Sequence, residues 1–310
     1  MPVDIFVIHE NPEWLAPLAA ALARRDARLV DWNMAERSVD LTKTPPVGVF
    51  FSRMSASSFS RGNDRVPELT SALFAWLERH GRRVVNGNPA LRLELNKAAQ
   101  YSALQAAGIA VPATHAALGA AAIDRVLADF GPGPVILKPN RGGKGLGVQG
   151  FDNAAAARAA VAAGAISESI DGVTLIQNYI HAPRGIITRA EFIGGRFHYA
   201  VEIDATKGFE LCPAEVCLVP DEATAPSFTI IDAIDNDLRQ RYEAFLAAAG
   251  IEIAGIEFIV DEAGQVFTYD INTNTNYNPL AEQVAGRDAT GAVADFLLAQ
   301  AAALTASNAA

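Results

Sequence analysis

The chain reads as short apolar stretches of strand or helix period, separated by glycine and proline. Val3 to Ile8 predicts a strand, and Trp14 to Arg25 a helix with apolar residues at helical spacing. Val47 to Phe51 follows Thr44-Pro45-Pro46 as a second strand. Glu68 to His80 is a helix closed by Gly81, and Val84 to Asn86 a short strand. This alternation over residues 1–88 implies a parallel sheet in an α/β layer. Asn88-Pro89 opens the next helix, Asn as N-cap and Pro in the first turn, and it runs through Leu91, Leu95, Ala99 and Leu104 to Gly108. Ile123 to Phe130 and Asn153 to Ala163 read as helices, and Val135 to Lys138 and Leu175 to Tyr179 as strands. Ile187 to Ile193 and Arg196 to Ile203 form a hairpin over Gly194-Gly195. Ile231 to Gly250 predicts a helix, and Ala289 to Ala303 a final amphipathic helix packed over the C-terminal sheet.

Between those two helices lies a second hairpin. Ala254 to Val260 is apolar and β-branched, with one acid, Glu257, inside it. From Gln265 to Asn272 the pattern alternates, with Val266, Thr268, Asp270 and Asn272 on one face and Phe267, Tyr269 and Ile271 on the other. With Glu262 to Gln265 as the loop, Asp261 faces Val266, Ile259 faces Thr268 and Glu257 faces Asp270.

Composition bounds the rest. The 310 residues hold 25 Lys and Arg against 35 Asp and Glu, a net charge of −10. That length suits two or three domains. The acidic balance argues against nucleic acid and membrane surfaces as partners, and any anion must bind in a locally basic pocket. The start MPVDIFVIHE lacks the basic-then-apolar pattern of a signal peptide, and no uncharged apolar run approaches about 18 residues, so a cytoplasmic protein is expected. Cys212 and Cys217 are too few for a disulfide framework and lack further zinc ligands nearby, which favours free thiols.

The chemistry gathers at four places. Glu257 opposite Asp270 is a repulsive cross-strand pair, and a divalent cation between them reverses that term. Asn272, two residues on, adds an oxygen, a donor set that suits Mg²⁺ shared with phosphates. A solvated hairpin whose acids never meet is the bland alternative. Lys138 ends a strand and leads into Pro139-Asn140-Arg141-Gly142-Gly143-Lys144-Gly145-Leu146-Gly147-Val148. Glycines there let backbone N–H groups close on phosphate oxygens, and the cations add counter-charge. The spacing is not that of a P-loop. Arg53 and Arg61, in the loop Ser52 to Asp64, sit beyond a strand's carboxyl end, where α/β sheets place ligands. Arg189 lies among apolar neighbours and needs a partner, structural or a bound phosphate. Lys97, alone in a helix, reads by itself as a surface charge.

In this order, the lysine-ended strand with its glycine loop, Ile176-Gln177-Asn178-Tyr179-Ile180, the strand arginine and the Glu257…Asp270-Ile271-Asn272 hairpin resemble the ATP-grasp superfamily. The likeness is to its branch of ribosomal-protein glutamate ligases and glutathione-synthetase-like enzymes, over nearly the whole chain. It implies a Rossmann-like substrate domain (1–88), then a lid subdomain (89–180) and a C-terminal subdomain with the metal site (181–310). It implies ATP and one or two Mg²⁺ ions, a place Mn²⁺ can also take. By this resemblance Lys97 and Lys138 reach the nucleotide phosphates, and Gly142, Gly143, Lys144, Gly145 and Gly147 cover them. Gln177 to Ile180 border the adenine, Glu257, Asp270 and Asn272 hold the metal, and Arg189 faces the transferred phosphate. The implied activity joins a small-molecule carboxylate to an amine through an acylphosphate, in a dimer or tetramer. Substrate specificity is expected from Ser52 to Asp64, with Arg53 on the carboxylate, and from Lys207 to Cys217. The fold also serves small-molecule kinases and nucleotide-binding proteins without turnover. The chain departs from the glutamate ligases at Ile187, where they carry an acid, at Glu210-Leu211-Cys212, and in the TNTNYNP run after Asn272, which leaves the substrate unassigned.

Overall fold

The computed structural model describes residues 4–204 and 228–307. The expectations for Lys207 to Val219, with Cys212 and Cys217, lie outside the described residues. Three sheets carry the fold. The first is parallel, with β1 (Asp4–His9), β2 (Leu29–Asn33), β3 (Gly48–Ser52) and β4 (Arg83–Val85) in the order β2-β1-β3-β4. Its side chains alternate between two cores. Phe6, Ile8 and Phe50 pack with Phe74 and Leu77 of α2 (Val66–Arg79). Ile5, Val7 and Val49 pack with Leu18 and Leu22 of α1 (Ala16–Ala23).

The second sheet is antiparallel, with β5 (Thr114–Leu118), β6 (Val135–Pro139), β7 (Gln149–Phe151) and β8 (Val173–Asn178) in the order β5-β8-β6-β7. α5 (Ala120–Ala128) and α6 (Ala154–Ala162) bury Ile123, Leu127, Ala157 and Val161 on it. The third comprises β9 (Ile186–Ile193), β10 (Arg196–Asp204), β11 (Phe228–Ile231), β12 (Ile253–Val260) and β13 (Val266–Asn272), in the order β11-β10-β9-β12-β13. One face of it packs on α4 (Lys97–Ala106) and α7 (Asn236–Ala249) through Leu104, Tyr242, Phe245 and Leu246.

Several boundaries differ from the sequence reading. The helix expected from Asn88 to Gly108 is two, α3 (Asn88–Glu94) and α4, because Asn96 caps a new start by accepting from Ala99 N at 2.9 Å. Asn88 is the first residue of α3, and Gly87 holds the N-cap position. Ile231 ends a strand, and α7 begins only after Asp235, whose side chain accepts from Leu238 N. β5 is short and largely solvent-facing, and β2 is a five-residue strand at the edge of its sheet with Trp32 alone buried, so neither carries a long apolar pattern. α8 (Pro279–Ala285) also escaped notice.

The last helix, α9 (Ala289–Ser307), packs on α1, β1 and β3 rather than on the C-terminal sheet alone. Val293, Ala294 and Leu297 join the core of Ile5 and Val7, and Arg25 Nε meets Asp295 at 2.5 Å. By length and composition α9 is long and apolar enough to cross a membrane; in this fold one face of it, with Ala294 and Leu297, is packed into the core.

Candidate functional site

A cavity of about 600 Å³ lies where the three sheets meet. Its floor is set by strand register. Arg189 on β9 pairs with Glu257 on β12, and Glu257 pairs with Asp270 on β13, so cation, acid and acid stand in one row across neighbouring strands. The expected opposition of the two acids is present, but the rest of the hairpin is shifted. Asp261 Oδ1 accepts from Ala263 N at 2.9 Å and Gln265 N at 2.8 Å, and Gly264 takes φ +79°, which closes a three-residue loop. Asp261 therefore faces Gln265, Ile259 faces Phe267 and Phe258 faces Thr268. The ladder then slips by one residue between Phe258 and Glu257, leaving Tyr269 as a bulge that restores the acid pair. The bulge sends Thr268 to the core, 2.6 Å from the Tyr242 hydroxyl, while Tyr269 and Asp270 both line the cavity.

Buried charge is compensated pair by pair. Lys97 Nζ bonds Asp270 Oδ1, and Lys97 is buried rather than a surface charge. Burial would lower the Lys97 pKa, but Asp270 holds it raised. Arg189 donates to Glu191 at 2.7 Å, Glu257 at 3.0 Å and Thr275 Oγ1 at 2.7 Å. Its guanidinium lies across Gly255, where a Cβ would stand 2.4 Å from Nε. Burial raises the Glu257 pKa and Asp270 opposite adds to it, while Arg189 and Lys97 oppose them. Asn272 Nδ2 donates to Glu257 at 3.3 Å.

Lys138 bonds no carboxylate among the described residues. Its Nζ donates to the Tyr101 hydroxyl at 2.5 Å and lies 5.1 Å from that ring's centre. Burial, with Lys97 nearby, lowers its pKa to about 7. Gln177 Nε2 braces the same hydroxyl at 3.1 Å and bonds Thr114 Oγ1 at 2.8 Å.

The cavity wall brings together Lys97, Lys138, Gly142, Gly143, Lys144, Gly145, Gln177, Asn178, Tyr179, Ile180, Arg189, Glu257, Asp270 and Asn272. Gly147 is off the wall, packed beside Pro139 and Ser167. Apolar Ile136, Val148, Ile187, Ile203 and Ile259 also line the cavity.

Arg53 is also off the wall, although a direct substrate contact was expected. It is buried, and donates to Asn274 Oδ1 at 3.0 Å, Trp14 O at 2.8 Å, Thr275 O at 3.1 Å and Asn276 Oδ1. Arg61 is neutralised by buried Glu10, at 2.5 and 3.0 Å, and lies over the Trp14 ring.

Sequence reasoning missed Glu191, Gly255, Thr275 and Glu94. Buried Glu94 accepts from Ala56 N at 3.0 Å and Thr273 N at 2.6 Å, joining the first domain to the segment after β13. A glycine inside an otherwise apolar strand was the readable signal for Gly255, since it marks close approach.

Two carboxylates and an amide on one face, open to a cavity with basic walls, fit a hard divalent cation shared with phosphate oxygens and water. Among the described residues no cluster of three or more His, Cys, Asp or Glu offers an all-protein metal cage.

No family model matches the sequence, and no curated protein matches it. Solved structures do match in fold. A RimK-domain ATP-grasp protein from Sphaerobacter thermophilus is 21% identical with a TM-score of 0.66, over 96% of this chain and 100% of that one. The ATP-grasp ligase PsnB, solved with a phosphomimetic precursor variant, Mg and ADP, is 16% identical with a TM-score of 0.67, over 97% and 99%. The VanG D-Ala:D-Ser ligase of Enterococcus faecalis is 14% identical with a TM-score of 0.66, over 97% and 100%.

Proposed function

From the ATP-grasp fold of this chain, we propose that it is an ATP-dependent carboxylate–amine ligase. A carboxylate oxygen attacks the γ-phosphorus of ATP, the bond to the β,γ-bridging oxygen breaks, and ADP leaves. An amine nitrogen then attacks the acyl carbon of the acylphosphate, the carbon–oxygen bond to phosphate breaks, and an amide forms with loss of an amine proton to solvent. Phosphoryl transfer asks the protein mainly for position and charge neutralisation.

The observation that carries this reading is the row Arg189–Glu257–Asp270, with Lys97 beyond it, on the floor of a cavity roofed by the glycine loop. Glu257, Asp270 and Asn272 would hold Mg²⁺, which supplies charge neutralisation at the β- and γ-phosphates. Lys97 and Lys138 are placed for phosphate oxygens, and the loop amides of Gly142 to Gly145 for the γ-phosphate. Asn178 to Ile180 and isoleucines of the cavity wall form the slot for adenine. The loop excludes water, which would otherwise hydrolyse the acylphosphate.

The test is Mg²⁺-dependent ADP release across a panel of amino acids, dipeptides and amines. The expected result is repeated turnover that needs both an acid and an amine, with phosphate and amide formed and Asp270→Asn inactive. Release without an amine, leaving a phosphorylated product, identifies a kinase instead. Release unchanged in Asp270→Asn removes the proposed site.

A further inference from the structure

Arg53 is a buried cation whose bonded acceptors are all neutral, two asparagine amides and two backbone carbonyls. Burial lowers its pKa to about 10, and no carboxylate offsets that burial. This contrasts with Arg61 and Arg189, which each hold buried acids. A guanidinium only donates, so the atoms of Asn274 and Asn276 that face it are their oxygens. Each side chain therefore turns its NH₂ group away from Arg53. Both asparagines line the cavity, beside Trp14, Ser55 and Ser57 of the first domain. Two amide donors, polarised by an unneutralised cation behind them, form a receptor for an anion that Arg53 itself does not touch.

We propose that Asn274 and Asn276, oriented and polarised by Arg53, bind a carboxylate of a substrate other than the one that is phosphorylated. This rests on the ligase reading and names what the site selects. The transfer chemistry belongs to Glu257, Asp270 and Asn272, and the receptor stands further along the chain toward the first domain. The bound group comes from one of two sources, a second carboxylate on the acid substrate or the carboxylate of an amino-acid amine. Arg53 is a positioning residue in this arrangement.

The experiment measures equilibrium binding by calorimetry in the presence of Mg²⁺ and a non-hydrolysable ATP analogue. One arm compares glutamate with glutamine, and the other alanine with alaninamide. The variants are Asn274→Asp and Asn276→Asp. Each keeps its bond to Arg53, now with a counter-charge, so its melting temperature stays equal or rises. Each loses the donor and gains an acceptor. The wild type should bind the carboxylate member of one pair at least 10-fold tighter than its carboxamide, and that arm identifies the source. Both variants should lose that preference or reverse it, while affinity for the nucleotide analogue stays within about threefold.

A wild type with no preference in either arm, or variants that keep it, overturns the proposal. The ligase reading fails separately. Carboxylate preference without ADP release from any acid leaves the receptor standing and removes the ligase, and turnover without preference does the reverse.

Discussion

Lys138 carries a local cost that Asp270 and Glu257 offset only in part, since its ammonium bonds a phenol rather than an acid. Its pKa falls from 10.5 in the open chain to about 7 in the fold. Between those values the unfolded chain holds a proton that the folded chain sheds, so stability rises with pH across the window and is lowest below it. Lys138→Met should therefore raise the urea midpoint at pH 7, by on the order of a few kcal/mol in stability, with the gain vanishing above pH 10.5. The same variant should lose nucleotide affinity. A phosphate beside Nζ restores the ammonium, so nucleotide binding at pH 8 should take up a proton. Calorimetry in two buffers of different ionisation enthalpy reads that uptake, which the Met variant lacks. A second constraint sits at Gly255. A Cβ there would stand 2.4 Å from Arg189 Nε and 2.7 Å from Nη2, pushing the guanidinium off Glu191. Gly255→Ala should cost about 1–3 kcal/mol by denaturant unfolding, and more in turnover than in nucleotide affinity. Arg189 was legible as an arginine in need of a partner. Its partner Glu191 was not, because the strand pattern alone does not show which acid stands beside the guanidinium.

At the scale of elements, the hairpin shows what alternation encodes and where it stops. Glu257 opposite Asp270 was readable, yet the path to it was not the one the pattern implied. Asp261 and Gly264 fix a three-residue loop and thereby one register. The acid pair requires the next register, and Tyr269 absorbs the difference. A bulge has no hydrophobic signature of its own, so a period-two reading put Val266 and Thr268 on the wrong face. Deleting Tyr269 leaves Phe258 opposite Thr268 and Glu257 opposite Asp270, so that deletion should fold with modest loss. Deleting Thr268 instead moves Tyr269 into the core position that bonds Tyr242, where its ring has no room. Soluble expression and urea midpoints of the two deletions should differ widely, with the Thr268 deletion unfolded or aggregated. Equal tolerance would mean that the bulge does not set the register. The split of the Asn88 to Gly108 helix has a similar origin. Asn96 competes for its own backbone turn, and the freed N–H groups of Lys97 and Ala98 donate to Asn140 instead.

At the scale of the molecule, the parallel arrangement of the first sheet was legible and its attachments were not, because they join residues far apart in sequence. Asn86 holds Ile253 O at 2.7 Å and Thr273 O at 3.0 Å, Glu94 holds Thr273, and Arg53 holds Asn274 and Asn276. α9 returns to cover β1 and β3, so the two ends of the chain share one core. The glycine loop is fastened to the same domain. Arg141 Nη1 donates to Glu68 Oε1 at 2.9 Å and Nη2 to Asp64 O at 3.3 Å, while a Cβ on Gly143 would lie 3.6 Å from Ser57 Cβ. Burial works against the Glu68 carboxylate, but the Arg141 bond keeps its pKa below the usual value. Glu68 is half exposed, so the pair contributes at most about 1 kcal/mol to folding. On the proposed ligase reading its larger effect is on the loop, which a bound nucleotide would have to pass to leave the cavity. Glu68→Lys sets like charges face to face, and a loss of about 1 kcal/mol from the closed state speeds opening roughly fivefold. Dissociation of a fluorescent ADP analogue, followed by stopped flow, should accelerate severalfold while the melting temperature moves by less than about 3 °C. An unchanged dissociation rate would show that Arg141 secures the domain and not the loop, and the double variant Arg141→Glu with Glu68→Lys should return the rate toward wild type if the contact is the latch.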